Sequence, residues 1–257
     1  MDHVMQGFLA SLLAGLGTAL GALPVLFAVN LTQRLQAVLL GLGGGIMLAA
    51  TSFSLLVPGK DAAIALGFPQ THAALIMVTG MLLGGGFLWF AHNYFPHEHF
   101  FKGREGPQKQ HLKQIWLFVI AIALHNLPEG LAVGVAFGAE DTTTATALAL
   151  GIGLQNIPEG LVVALALREL GYARSYAIGV STMTGLLEPI GGLFGAAVVS
   201  VSQPLLPWGM AFAAGAMLFV IVDEIIPEVS NKGWDQEGTV GAMIGFVVMM
   251  FLDVALG

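Results

Sequence analysis

Apolar runs long enough to cross a membrane alternate with short polar breaks from one end of the chain to the other. A hydrocarbon core of about 30 Å takes roughly 20 residues of helix. Helix is required because an unpaired backbone group in lipid costs several kcal/mol. The runs predict eight spans, at 4–28, 36–57, 73–95, 115–138, 144–169, 175–200, 207–227 and 238–256. The expected fold class is an all-α membrane protein, one transmembrane domain over 1–257. The first run is too long for the apolar region of a signal peptide and has no basic stretch before it, so it reads as a retained span. One connection is long, the polar, histidine-bearing loop 96–114, PHEHFFKGREGPQKQHLKQ.

Composition agrees with that pattern. The chain is 56% hydrophobic and 10% charged, against about a quarter charged in soluble domains. It has no cysteine, so metal chemistry here must use nitrogen, oxygen or thioether ligands. No nucleic-acid partner is expected.

The nine Lys and Arg residues set an orientation, because basic residues of short loops stay in the cytoplasm. Both termini outside puts Arg34, Lys102, Arg104, Lys109, Lys113, Arg168, Arg174 and Lys232 inside and leaves only Lys60 outside. Asp61, Glu140, Asp141 and Asp253 then face the outer compartment, where their charge attracts cations.

Glycine clusters at Gly41, Gly43, Gly44 and Gly45 and at Gly84, Gly85 and Gly86, which reads as close helix packing rather than ligation. The 11 methionines read mostly as apolar filler.

Candidate chemistry sits in the middle of the chain. The fourth span carries His125-Asn126-Leu127-Pro128-Glu129-Gly130, and the fifth carries Gln155-Asn156-Ile157-Pro158-Glu159-Gly160. Consecutive spans run antiparallel, so the copies face each other in opposite senses, as in an inverted pair around a midplane site. Four-residue spacing puts His125 with Glu129, and Gln155 with Glu159, on shared helix faces, separated by a rise of about 6 Å. Asn126 and Asn156 sit about 100° round the helix, where they can serve an adjacent second ion. Each motif proline removes a donor and frees carbonyls in the preceding turn. The sixth span adds Glu188, followed by Pro189 near its helix centre, and the second puts Met47 at similar depth.

A carboxylate at the bilayer centre costs at least about 2.5 kcal/mol. Glu129, Glu159 and Glu188 incur that with no Lys or Arg at their depth, so a cation or protons must balance them. A single intramembrane His or Gln is often only hydrogen-bond glue between helices. Three carboxylates, an imidazole and three amides inside a repeated motif point instead to an ion site. Met47 alone carries little weight, since such a methionine is usually core. Imidazole with carboxylates suits Zn2+, with Fe2+, Mn2+, Co2+ and Cd2+ as further cargo.

Charge placement adds a route. Ser54, Asp61 and Asp253 form an expected entrance, and Asp223, Glu224 and Glu228 an expected exit. His97, His99 and His111, beside Glu98, either receive metal loosely at the inner side or are simply solvated loop residues. Two other functions compete. An intramembrane metal-dependent hydrolase would be expected to show His-Glu-x-x-His, which the chain lacks. A proton- or sodium-coupled solute carrier would use the carboxylates for coupling.

At these motifs the sequence resembles the Zrt/Irt-like protein family, the ZIP metal transporters, particularly its bacterial members. The likeness covers the whole chain, and the paired motifs are specific. It implies transport of zinc and related divalent cations into the cytoplasm across the inner membrane, an inverted repeat relating the first three spans to the last three, and homodimers. By motif match it implies a first metal held by His125, Glu129, Gln155 and Glu159 with Met47 beside it. Asn126, Asn156 and Glu188 would then hold a second. Some bacterial relatives carry aspartate at the place of Asn156, so the amide here implies a weaker second position. The resemblance also implies a bundle of spans one, four, five and six that moves against the rest.

Overall fold

The computed structural model describes residues 3–27, 32–94, 97–99, 103–105, 114–138, 142–169, 171–230 and 233–256. Seven helical rods among them are long and apolar enough to cross a membrane: His3–Phe27, Gln33–Ala65, Gln70–Ala91, Thr142–Arg168, Arg174–Val201, Gln203–Asp223 and Asp235–Ala255. They coincide with seven of the eight expected spans. The remaining one, 115–138, is helix α5 (Gln114–Phe137), described in its backbone throughout and in its side chains from Asn126 onward. Within the expected loop 96–114 the described residues form a short antiparallel hairpin, His97–His99 with Gly103–Glu105.

The rods are less regular than hydropathy foretells. The first is α1 (His3–Ala22) with a 3-10 turn Leu23–Phe27. The second runs as α2 (Gln33–Ala49), a π-helical stretch Ala50–Leu56 and α3 (Val57–Ala65), well beyond the expected end at 57. Next come α4 (Gln70–Tyr94), α5, and α6 (Thr142–Glu169). The sixth rod is broken into α7 (Arg174–Gly185) and α8 (Glu188–Val201), which corrects the expectation that Glu188 lies at a helix centre: it is the first residue of α8. Pro189 is the cause, because a residue with no N–H and a bulky ring belongs in a helix's first turn and not its middle. The seventh rod is α9 (Leu206–Val220), a π stretch Ile221–Ile225 and α10 (Ile226–Ser230), and the chain closes with α11 (Asp235–Leu256).

Both π stretches end just before a proline, Pro58 and Pro227. A proline ring clashes with the carbonyl four residues earlier, here that of Ser54 and that of Asp223. A wider turn relieves the clash and leaves those carbonyls out of the regular ladder. Pro128 and Pro158, by contrast, sit inside α5 and α6, which continue through them.

The rods pack pairwise in a pattern with a two-fold character. The main partner of α2 is α11 and that of α9 is α4, while α1 lies on α6 and α8 lies on α5. Exchanging rods one with six, two with seven, three with eight and four with five maps this set of pairs onto itself. Rods one, four, five and six form one bundle and the others a second, with an apolar core where they meet that includes Ala14, Met47, Leu148, Ile152, Met217 and Met249.

Backbones touch at many crossings. A Cβ on Gly45 would run into the α11 backbone at Ala242, and one on Gly84 into the α9 backbone at Phe212. The glycine clusters thus work as packing residues, though not uniformly, since a Cβ on Gly86 would meet nothing. Gly84→Ala should therefore lower stability by about 1–3 kcal/mol, the usual cost of overpacking, while Gly86→Ala leaves it unchanged or slightly raised. Thermal unfolding of the two detergent-purified variants side by side checks this. Equal losses would show that the α4–α9 contact is looser than described.

Candidate metal-transport site

The two motifs meet face to face. Gln155 on α6 donates from Nε2 to Glu129 Oε1 on α5. Because a carboxylate only accepts, this bond fixes the amide's orientation and turns Gln155 Oε1 the other way. One residue along, Asn156 donates from Nδ2 to Glu188 Oε1 at 2.7 Å and to the Ala14 carbonyl of α1 at 2.9 Å. Both acceptors lack hydrogens, so nitrogen must occupy the point between them. Four rods converge on these few atoms.

The motif glycines make the convergence possible. A Cβ on Gly130 would collide with the backbone of Glu188, and one on Gly160 with the backbone of Thr18. Each motif therefore holds its carboxylate helix in backbone contact with a neighbouring rod, α5 against the start of α8 and α6 against α1. Ser181 adds a hydrogen bond from its hydroxyl to Gly160 O at 3.0 Å.

The site is buried and rich in acceptors. Glu129, Gln155, Asn126, Asn156 and Glu188 are all buried. Glu129 Oε2, Gln155 Oε1, Asn156 Oδ1, Glu188 Oε2 and both amide atoms of Asn126 have no hydrogen-bond partner among the described residues. Each such group costs about 1–3 kcal/mol if nothing answers it. All but one of these atoms are oxygens, so the complement they call for is a cation or bound water and not another carbonyl. The ion pairs Arg34–Glu237 (3.0 Å) and Lys60–Asp61 (2.9 Å) lie at helix ends, far along the rods from this cluster.

Of the residues expected from sequence, the structure thus joins Glu129 with Gln155 and Asn156 with Glu188. Glu159 lies one turn from Gln155 on α6 and is half-buried. Met47 is buried within the apolar core. The side chain of His125 lies outside the described residues, and among those described no three His, Asp or Glu side chains form a ligand group. The acceptors are shared instead between carboxylates and amides.

Outside the centre, Ser54 donates to Asp253 Oδ1 at 2.6 Å, bringing two of the three entrance residues together across the second and eighth rods. Asp61 is 61% exposed in its side chain and paired with Lys60, a partner the sequence reading did not give it. At the other end Asp223 lies half-buried on the π stretch. The side chains of Glu224, Glu228, His97 and His99 and the whole of His111 lie outside the described residues.

The sequence reading missed α1 as a contributor. Its signal was present in Gly15, Gly17 and Gly21, whose Cβ atoms would meet the backbone of Gly185, Gly153 and Ile157 respectively. Removing the bridging amide tests this geometry. Asn156→Ala leaves Glu188 Oε1 and Ala14 O unanswered and should destabilise the metal-free protein by about 1–3 kcal/mol, read as a lower unfolding temperature. An unchanged temperature would mean that the three-way contact is not made.

Residues 96–253 match the family described as ZIP Zinc transporter. The chain is 49% identical over 251 residues to "Zinc transporter GufA" of Myxococcus xanthus, covering 98% of this chain and 99% of that protein. It is 44% identical over 256 residues to "Zinc transporter ZIPB" of Bordetella bronchiseptica, covering 99% and 82%. To "Zinc transporter ZIP11" of Homo sapiens it is 34% identical over 337 aligned positions, covering 100% and 98%.

Proposed function

This chain belongs to the ZIP zinc transporter family, and from that premise we propose that it carries Zn2+ into the cytoplasm through the cluster between α5, α6 and the α7–α8 break. The observation that carries this reading is the set of buried oxygens without partners at Glu129, Gln155, Asn156 and Glu188. A dehydrated divalent ion answers several of them at once. In the proposed site His125, Glu129, Gln155 and Glu159 hold the ion, with Met47 beside it. Asn126, Asn156 and Glu188 form the adjoining position. Cd2+, Fe2+, Mn2+ and Co2+ suit the same donors and are proposed as further cargo.

The orientation we propose has both termini outside and the chain in the inner membrane, as a homodimer. It is supported by the basic residues at the ends of the rods: Arg34, Arg168 and Arg174 fall at one end and Lys60 at the other, as the excess of Lys and Arg on the cytoplasmic side requires. A divalent ion moving inward gains about 4.6 kcal/mol per 100 mV of inside-negative potential, twice the single-charge value. Entry past Ser54, Asp253 and Asp61, and exit past Asp223, Glu224 and Glu228, follow that field. His97, His99 and His111 would receive the ion on the inner side.

His125→Ala or Glu159→Ala should cut zinc uptake into proteoliposomes by more than about tenfold while the protein still folds. Even an outer-shell partner of a metal ligand is typically worth about 10–100-fold. Normal uptake by a folded double variant would remove the site. At the mouth, Asp253→Asn should raise the half-maximal zinc concentration more than Asp61→Asn, whose charge Lys60 already offsets. Initial uptake against external zinc under a clamped potential separates the two, and the reverse ranking would place the entrance elsewhere. Asn156→Asp puts an oxygen where nitrogen now faces Glu188 and Ala14 O, so it should admit a second ion. Equilibrium dialysis that finds the same stoichiometry in both proteins would contradict this.

A further inference from the structure

The two halves of the motif-bearing bundle mirror each other residue by residue. A Cβ on Gly15 would strike the Gly185 carbonyl, and a Cβ on Gly185 would strike the Gly15 carbonyl. On α1, Gly21 lies against the backbone of Ile157, the third residue of the α6 motif. On α8, Gly191 lies against the backbone of Leu127, the third residue of the α5 motif. Exchanging rods one with six and four with five therefore pairs Gly15 with Gly185, Gly21 with Gly191, and each motif residue with the same position of the other motif.

Under that exchange the counterpart of Glu188 is Thr18. Glu188 stands three residues after Gly185 and three before Gly191, and Thr18 stands three after Gly15 and three before Gly21. A Cβ on Gly130 would meet the backbone of Glu188, and one on Gly160 the backbone of Thr18. The side chains correspond as well. Glu188 Oε1 lies 3.4 Å from the place of a Cβ on Gly15, and Thr18 Oγ1 lies 2.9 Å from the place of a Cβ on Gly185.

The chemistry differs between the two sides. Glu188 reaches Asn156 and accepts its Nδ2 hydrogen at 2.7 Å. A threonine is two atoms shorter, and Asn126, the counterpart of Asn156, gains no such contact. Thr18 and Asn126 are both 0% exposed, yet Thr18 Oγ1 and both amide atoms of Asn126 have no hydrogen-bond partner among the described residues. Thr184, beside Gly185, already donates its hydroxyl to Ser181 O at 2.8 Å. Buried polar atoms are paired in nearly all folded proteins. A buried water takes about three polar partners, and a hydroxyl with the two ends of an amide supplies that number.

We propose, on the footing of the transport reading of this site, that Thr18 is the neutral counterpart of Glu188 in the second ion position. Its hydroxyl and Asn126 hold the water that an ion there keeps on the side away from Glu188. A hydroxyl in place of a fourth carboxylate leaves the position one negative charge short of a fully symmetric one, so an ion is held there more loosely than in the first position.

The test is site-by-site Cd2+ occupancy in crystals of the full chain, read by anomalous diffraction over a series of soaking concentrations. Thr18→Val keeps the shape and removes the hydroxyl. It should raise the Cd2+ concentration that half-fills the second position about tenfold, as loss of a partner behind a metal ligand does, and leave the first position unmoved. Thr18→Ser should restore the second position, and Thr18→Ala, which is smaller and clears Gly185, should match Thr18→Val. Without metal, Thr18→Val should unfold at an unchanged or higher temperature, because an unanswered buried hydroxyl is lost without cost. A structural threonine would instead lower that temperature and leave both occupancies alone. No second position at any Cd2+ concentration, a second position indifferent to Thr18→Val and Thr18→Ala, or a Thr18→Ser variant as weak as Thr18→Val would overturn the proposal while the first position, and the transport reading with it, stands. An empty first position in the unaltered chain would remove that reading itself, and the proposal with it.

Discussion

Three glutamates on long apolar helices, with Glu129 and Glu188 almost wholly buried, must be answered by something positive or by donated hydrogens, and the arrangement around them follows from how few such groups are supplied. Two amide nitrogens, on Gln155 and Asn156, satisfy one oxygen each of Glu129 and Glu188. The opposite carboxylate oxygens of Glu129 and Glu188 and the amide oxygens of Gln155 and Asn156 have no hydrogen-bond partner among the described residues. Half-satisfaction of this kind would be a defect in a static core. In the passage proposed here it would be a holding place, firm enough to replace an ion's hydration shell and incomplete enough to be emptied.

Keeping those groups within hydrogen-bond reach requires helix backbones in contact, and the motifs carry the residue that permits it. Gly130 and Gly160 close each motif and seat α5 and α6 on neighbouring rods. The carboxylate one position earlier is thereby aimed by a backbone contact and not by a long, flexible side-chain packing. The same economy of side chain recurs at Gly45 and Gly84 in the second bundle. Packing in lipid gains little from apolar burial, so close approach of small residues replaces it.

Much of this was legible in the chain itself. The spans and the paired motifs follow from hydropathy and spacing, since both report on single helices. What escaped were features that depend on a neighbour. The Ala14 carbonyl enters the site only because α1 passes beside Asn156, and a carbonyl has no sequence signature. The break before Glu188 was marked by Pro189, yet hydropathy runs smoothly through it. The π stretches were marked only by Pro58 and Pro227, and a proline in a span predicts a kink, a break or a widened turn equally well. Lys60 and Asp61 are adjacent in sequence, and only coordinates show that they pair.

The pairing of α2 with α11 and of α1 with α6 and α8 also bears on how the molecule is made. Spans enter a membrane in the order of synthesis, so the earliest ones arrive long before the helices they finally pack against. While the last rod is still unmade, the glycine face of α2 at Gly41 and Gly45 has only lipid beside it, and Ser54 has no Asp253 to donate to. The bundle holding the two motifs can assemble once the sixth rod is in, whereas the second bundle stays open until the end. A chain stopped before residue 235 would thus leave the longest rod of the other bundle without its main partner, so docking of the 22-residue α11 is the step that closes the second bundle around α2.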